Sequence, residues 1–174
     1  MTPYPIAAVI YTPADAVEKL FAEAARALAA QGVRMGGMVQ HDLPGAVDDP
    51  CAMELEDLET GVCIPLSQDL GKCSLSCRVD PAALAQGSVA IRGALQRGAE
   101  LVVVNKFGAL EVGGAGLRDD MAATVLAGVP LLTAVGERFM PEWREFTGGE
   151  FTALKADVAD ILAWWAALRA ASAP

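Results

Sequence analysis

Leu101-Val102-Val103-Val104 is an uninterrupted aliphatic run, mostly β-branched, and at Asn105-Lys106 polarity begins without transition. Such a run suits a strand buried on both faces of a parallel sheet, with the helical patterns on either side of it serving as crossovers. In open α/β sheets the residues just beyond the carboxyl ends of strands line the ligand crevice. The stretch therefore predicts a central strand over 101–105 and places the functional edge immediately after it, where Gly108, Glu111, Gly113-Gly114-Ala115-Gly116 and Arg118-Asp119-Asp120 follow.

The flanking segments supply the rest of an α/β domain. Ile6 to Tyr11 reads as a strand, and Leu20, Phe21, Ala24, Ala25, Leu28 and Ala29 recur at helical spacing up to Gly32, where a helix C-terminal glycine belongs. Val33 to Gln40 supplies a second strand, completing a βαβ unit. His41 to Pro50 is a polar connection rich in Pro, Gly and Asp. Met53 to Leu58 and Val62 to Leu66, joined by Glu59-Thr60-Gly61, predict a β-hairpin whose second strand Pro65 confines to an edge. Residues 67–80 form a second loop. Asp80 as N-cap and Pro81 at the first helical position open a helix that runs to about Arg97. A helix over 117–126, a strand over 131–135, a connection over 136–149 with one helical turn near Pro141 to Phe146, and a last helix over 153–169 complete the chain. Trp164 and Trp165 fit this last helix as packing residues.

Composition narrows the function classes. The chain has 174 residues, enough for one domain with a core of its own. The sequence contains no apolar run of the length a membrane span needs, and no basic segment precedes the first apolar stretch, so the expectation is a cytoplasmic chain. A formal net charge of −9 opposes non-specific attraction to nucleic acid or anionic lipid while leaving room for a local anion pocket. Cys51, Cys63, Cys73 and Cys77 cluster, yet only Cys73-x-x-x-Cys77 is close, and His41 is the sole histidine. Paired Cys-x-x-Cys knuckles are missing, so the thiols read as structural or incidental, His41 as a loop or surface residue, and no metal ligand is assigned.

The turn after the first strand is where a phosphate-binding loop would sit. Such a loop needs glycines for close backbone approach and a Lys-Ser/Thr pair for phosphate and magnesium, whereas the chain offers Tyr11-Thr12-Pro13-Ala14-Asp15-Ala16-Val17-Glu18-Lys19. Thr12 and Lys19 are the polar candidates left there. This strand, degenerate loop and helix, followed by Val33 to Val39, Leu58-Glu59-Thr60-Gly61 and Asn105-Lys106-Phe107-Gly108-Ala109-Leu110-Glu111, resembles a small P-loop nucleoside-triphosphatase family over residues 6–135. In that family the last segment reads approximately Asp-Glu-Ile-Gly-Lys-Met-Glu. The chain is more closely similar to a bacterial family of unknown function whose members are usually encoded beside molybdate-transport genes. Asn105 to Gly108, the 111–118 segment, Cys77-Arg78-Val79-Asp80-Pro81 and Trp164-Trp165 carry that similarity.

The departures from the triphosphatase pattern set the functional expectation. Asn105 and Lys106 stand where that resemblance implies an Asp for magnesium and a Glu for water, an exchange a magnesium-dependent hydrolase does not tolerate easily. What is left suits an oxyanion: donors at Asn105 and Lys106, a backbone nest over Gly113, Gly114 and Gly116, and Arg118 near a helix start. The expectation is a single α/β domain over 1–174, P-loop NTPase-like, with a parallel sheet, helices on both faces and a hairpin insertion. Its function is non-catalytic binding of a small oxyanion, with molybdate or tungstate implied by the resemblance, in molybdenum homeostasis. The candidate ligand-binding residues are Asn105, Lys106, Gly108, Glu111, Gly113, Gly114, Gly116 and Arg118, with Thr12, Lys19 and Arg78 beside them. Two other classes stay open. One is a nucleotide-dependent enzyme using Lys19 and Lys106; the other is a regulatory module, homo-oligomeric or partner-bound, using the Trp143 region as its surface.

Overall fold

A computed structural model describes residues 2–43, 52–67 and 79–174. Within them the chain runs β1 (Ile6–Tyr11), α1 (Val17–Ala30), β2 (Met35–Asp42), β3 (Met53–Asp57), β4 (Cys63–Pro65), α2 (Pro81–Gln96), β5 (Leu101–Phe107), α3 (Ala109–Val112), α4 (Arg118–Leu126), β6 (Leu131–Gly136), α5 (Met140–Thr147), β7 (Thr152–Leu154) and α6 (Val158–Ser172). The strands form one sheet in the order β4-β3-β2-β5-β6-β1-β7. β2, β5, β6, β1 and β7 are parallel, and β3 and β4 add an antiparallel hairpin at one edge.

Both faces of the sheet are covered, which is why β5 reads as a continuous apolar run. Val103 faces one apolar layer with Leu132, Phe21 and Leu28 of α1, and Ile161, Trp164 and Trp165 of α6. Val102 and Val104 face the other, with Ile91 of α2, Met121 of α4 and Trp143 of α5. Asp80 accepts from the Ala82 amide with Pro81 opening α2, as the local signal predicts. Pro65 lies on the edge strand β4, where its missing N–H breaks no inner ladder.

Several expectations shift. β5 continues to Phe107 instead of ending at Asn105, because one extra residue between Val104 and Phe107 bulges the strand against β6. The last helix starts at Val158, not 153, because Thr152–Leu154 pair with β1 as a short edge strand and Asp157 caps the helix through the Ala159 amide. Three residues are too few to display period-two alternation. α5 makes two turns rather than one, and Trp143, fully buried against Phe107, Phe146 and Phe151, is core and not a partner surface. His41 lies in β2, half-buried, with its Nε2 2.7 Å from Glu56 on β3, rather than in a loop.

Gly37 fixes the distance between β2 and β5. Its φ is +110°, and a Cβ there would lie 1.9 Å from the Val103 carbonyl oxygen. The conflict is with backbone of the central strand and cannot be relieved by a rotamer change. Gly37→Ala is expected to abolish cooperative unfolding by circular dichroism; a variant that still melts cooperatively would show that β2 can shift away from β5.

Candidate functional site

The carboxyl ends of the parallel strands bring the β1–α1 turn, the end of β5 and the loop before α4 to one edge. The β1–α1 turn is closed on itself. The Asp15 amide donates to the Thr12 carbonyl (3.0 Å), and Asp15 Oδ2 accepts from the Thr12 amide (2.8 Å) and the Thr12 hydroxyl (3.2 Å). Thr12 is thus engaged within the turn. Ala16, at the N-cap of α1, offers no side-chain acceptor, and Glu18 sits in the first helical turn with Lys19 exposed beside it.

Across the edge, Lys106 Nζ lies 2.5 Å from Glu18 Oε1, tying the tip of β5 to the start of α1. Asn105, the other residue of the bulge, is 5% exposed, and neither its Oδ1 nor its Nδ2 has a hydrogen-bond partner among the described residues. Leaving a buried polar group unpaired costs about 1–3 kcal/mol. Bulges recur beside functional sites because they re-aim side chains at the cost of ladder pairing. A cavity of about 290 Å³ is lined here by Asn105, Lys106, Gly108 and Glu111, together with Gln40 and apolar side chains including Met38, Leu55, Leu66 and Leu117.

The glycine-rich loop is organised around its own carboxylate. Glu111 is 7% exposed; its Oε2 accepts from the Gly108 amide (3.0 Å) and its Oε1 from the Leu117 amide (3.2 Å). The first of these bonds is the reach-back of a third helical residue to the N-cap amide. Gly116, at φ +60°, passes so close that a Cβ would stand 2.3 Å from Glu111 Oε1. The amides of Gly113, Gly114 and Ala115 donate to the carbonyls of Ala109, Glu111 and Leu110. Arg118 donates from Nη1 to the Glu111 carbonyl (2.9 Å), and its guanidinium lies over Phe146, 5.0 Å from the ring centroid. Asp120 accepts from Ser88 and Arg92, joining α4 to α2.

The structure therefore gathers Asn105, Lys106, Gly108 and Glu111 at the cavity, wraps Gly113, Gly114, Gly116 and Arg118 around Glu111, and sets Thr12 and Lys19 on the separate β1–α1 turn. Arg78 lies outside the described residues, as do Cys51, Cys73 and Cys77. Sequence reasoning missed Glu18 and Gln40. Glu18 becomes visible only with the strand order, which carries α1 over to the β5 tip.

Among the described residues no three His, Cys, Asp or Glu side chains group as a metal site. Cys63 is on the exposed edge strand, and its thiol is pushed above its ordinary range by burial of the sulfur, then by Glu54 and Glu56. A raised thiol is a poor nucleophile near neutrality. Glu54→Gln is expected to speed iodoacetamide modification of Cys63 at pH 8, read by peptide mass spectrometry; an unchanged rate would leave burial and Glu56 as the causes. For the loop, Glu111→Ala is expected to cost about 3 kcal/mol in urea unfolding, since it strips the acceptor from two buried amides. Faster hydrogen exchange at Gly108 and Leu117 should accompany it, whereas unaltered exchange would mean the carboxylate is dispensable.

A family model described as "Protein of unknown function (DUF2478)" matches residues 6–164. The chain is 40% identical over 163 residues to a protein of Bradyrhizobium diazoefficiens named "Molybdenum import ATP-binding protein ModC 2". That alignment covers 94% of this chain but 18% of the relative, so the chain spans under a fifth of the relative's length. Among solved structures, that of a human cancer-related nucleoside triphosphatase aligns with TM-score 0.67 and 16% identity, covering 92% of this chain and 96% of that one. THEP1 from the hyperthermophile Aquifex aeolicus aligns with TM-score 0.66 and 12% identity, covering 91% and 97%. These two likenesses establish the fold.

Proposed function

The chain belongs to the DUF2478 family of proteins of unknown function, and from that premise we propose that it binds a small oxyanion without catalysis, molybdate or tungstate in preference, at Asn105 and Lys106. One observation carries the reading. A nearly buried carboxamide, both of its polar atoms unpaired among the described residues, lies beside a lysine in the wall of a cavity at the carboxyl edge of the sheet. A buried polar group without a partner calls for an explanation, and a ligand that accepts hydrogen bonds supplies one for Nδ2. Tetraoxo anions are pure acceptors and are held by N–H donors and cations.

The same edge argues against hydrolysis. Magnesium-assisted phosphoryl transfer needs carboxylates for the metal and a group that positions water; the end of β5 offers an amide and an ammonium instead. The β1–α1 turn, which has no glycine, presents Asp15, and the first turn of α1 presents Glu18, which together oppose a polyphosphate on both charge and close approach. The molybdenum preference, and a role in molybdenum homeostasis, draw on the printed name of the Bradyrhizobium relative and on the molybdate-transport setting implied by the resemblance of the sequence.

A thermal-shift titration in phosphate-free buffer tests this directly, with molybdate, tungstate, sulfate and ATP-magnesium added to wild type and Lys106→Ala. At a hundredfold excess over Kd, a ligand specific for the native state should raise Tm by about 5–10 °C for a domain of this size. Molybdate or tungstate should do so in wild type and not in the variant. Stabilisation by ATP-magnesium would replace this reading with a nucleotide-dependent enzyme, and no shift with any of the four would favour an interaction module.

A further inference from the structure

We propose that Glu18 is the built-in occupant of the Lys106 anion site, a carboxylate that the incoming oxyanion must displace and that thereby sets which anions bind. The inference rests on the oxyanion reading and concerns the regulation of that same site. Three carboxylates sit at this edge of the sheet, and each holds donors that an external anion would otherwise use. Two of them are fixtures. Glu111 is buried and fastened by the Gly108 and Leu117 amides, so the loop from β5 to α4 is built on it. Asp15 closes a local turn through Thr12.

Glu18 differs from both. Its carboxylate meets the Lys106 ammonium, the side chains are 22% and 31% exposed, and among the described residues no backbone amide holds it. It projects from the first turn of α1, where the positive end of the helix dipole tolerates a carboxylate whether or not Lys106 is its partner. Glu18 can therefore leave Lys106 without unfolding anything. Lys106, by contrast, is held in place by the bulge of β5 and lines the cavity beside Asn105.

Charge makes the exchange competitive. Lys106 and Glu18 together are neutral, so a dianion approaching Lys106 meets a carboxylate at contact distance and gains nothing until that carboxylate turns away. A monoanion offers Lys106 no more charge than Glu18 already does. A tetrahedral dianion offers more, together with further oxygens for the Asn105 amide. Glu18 thus acts as a threshold that rejects monoanions and admits dianions.

The test uses the full chain with molybdate and nitrate as probes, comparing wild type, Glu18→Gln, and Glu18→Ala as a second removal of the carboxylate. Calorimetric titration is expected to give at least tenfold tighter molybdate binding in both variants, and measurable nitrate binding that wild type lacks. Acylation of Lys106 by trace acetic anhydride, read by mass spectrometry without ligand, is expected to rise severalfold once its partner is gone. Wild type that binds molybdate, with variants that bind it equally or more weakly, would overturn the role of Glu18 while leaving the oxyanion reading intact. Unchanged Lys106 acylation would also overturn it. No molybdate binding by any of the three proteins would overturn both.

Discussion

A strand covered on both faces has no solvated side on which to place a polar group, and this constraint on β5 shapes everything at its end. Up to Val104 the alternation between the two apolar layers is regular, with Val102 and Val104 on one and Val103 on the other. Lys106 cannot continue it without placing an ammonium in one of those layers. The strand answers with an extra residue, and Phe107 regains the apolar layer it shares with Trp143. The bulge is therefore the means by which two polar residues are carried on an otherwise apolar strand, and it delivers them to the wall of the cavity.

Beyond the bulge the donors at the edge are taken up by the chain's own carboxylates. Donors left unpaired there would be destabilising. Here the amides of Gly108 and Leu117 close on Glu111, that of Thr12 on Asp15, and Lys106 on Glu18. Asn105 is the exception at this edge, since neither of its polar atoms has a partner among the described residues.

The sequence made the alternation of strands and helices legible, together with the hairpin and the Asp80-Pro81 cap, because each has a local cause: β-branched runs, turn residues, a capping side chain. β7 was hidden because Thr152–Leu154 is too short to show a period and gains strand character only from pairing with β1. The length of α5 was hidden for a related reason, since its anchor, Trp143, is explained only by the aromatic cluster it joins. At the edge, the residue types from Asn105 to Arg118 were legible as donors, but their partners were not. That Glu111 turns inward on its own loop, that Arg118 lies over Phe146, and that Glu18 reaches Lys106 all depend on contacts between elements far apart in the chain or folded back on themselves.

The overall charge sharpens what a binding site here must accomplish. A chain with a formal net charge of −9 repels anions at long range, so selectivity cannot come from a broad positive field and must come from a few fixed donors at close quarters. Short-range donors discriminate by geometry and by the charge they are asked to balance, whereas a diffuse basic surface collects anions of every kind. A single lysine already matched by a carboxylate, beside an amide without a partner among the described residues, is an arrangement of the first sort. On the proposed reading, the edge stays electrically quiet until an anion arrives that can outbid a carboxylate for the ammonium and also occupy the amide, and because the long-range repulsion falls harder on a dianion than on a monoanion, that preference has to be made at contact.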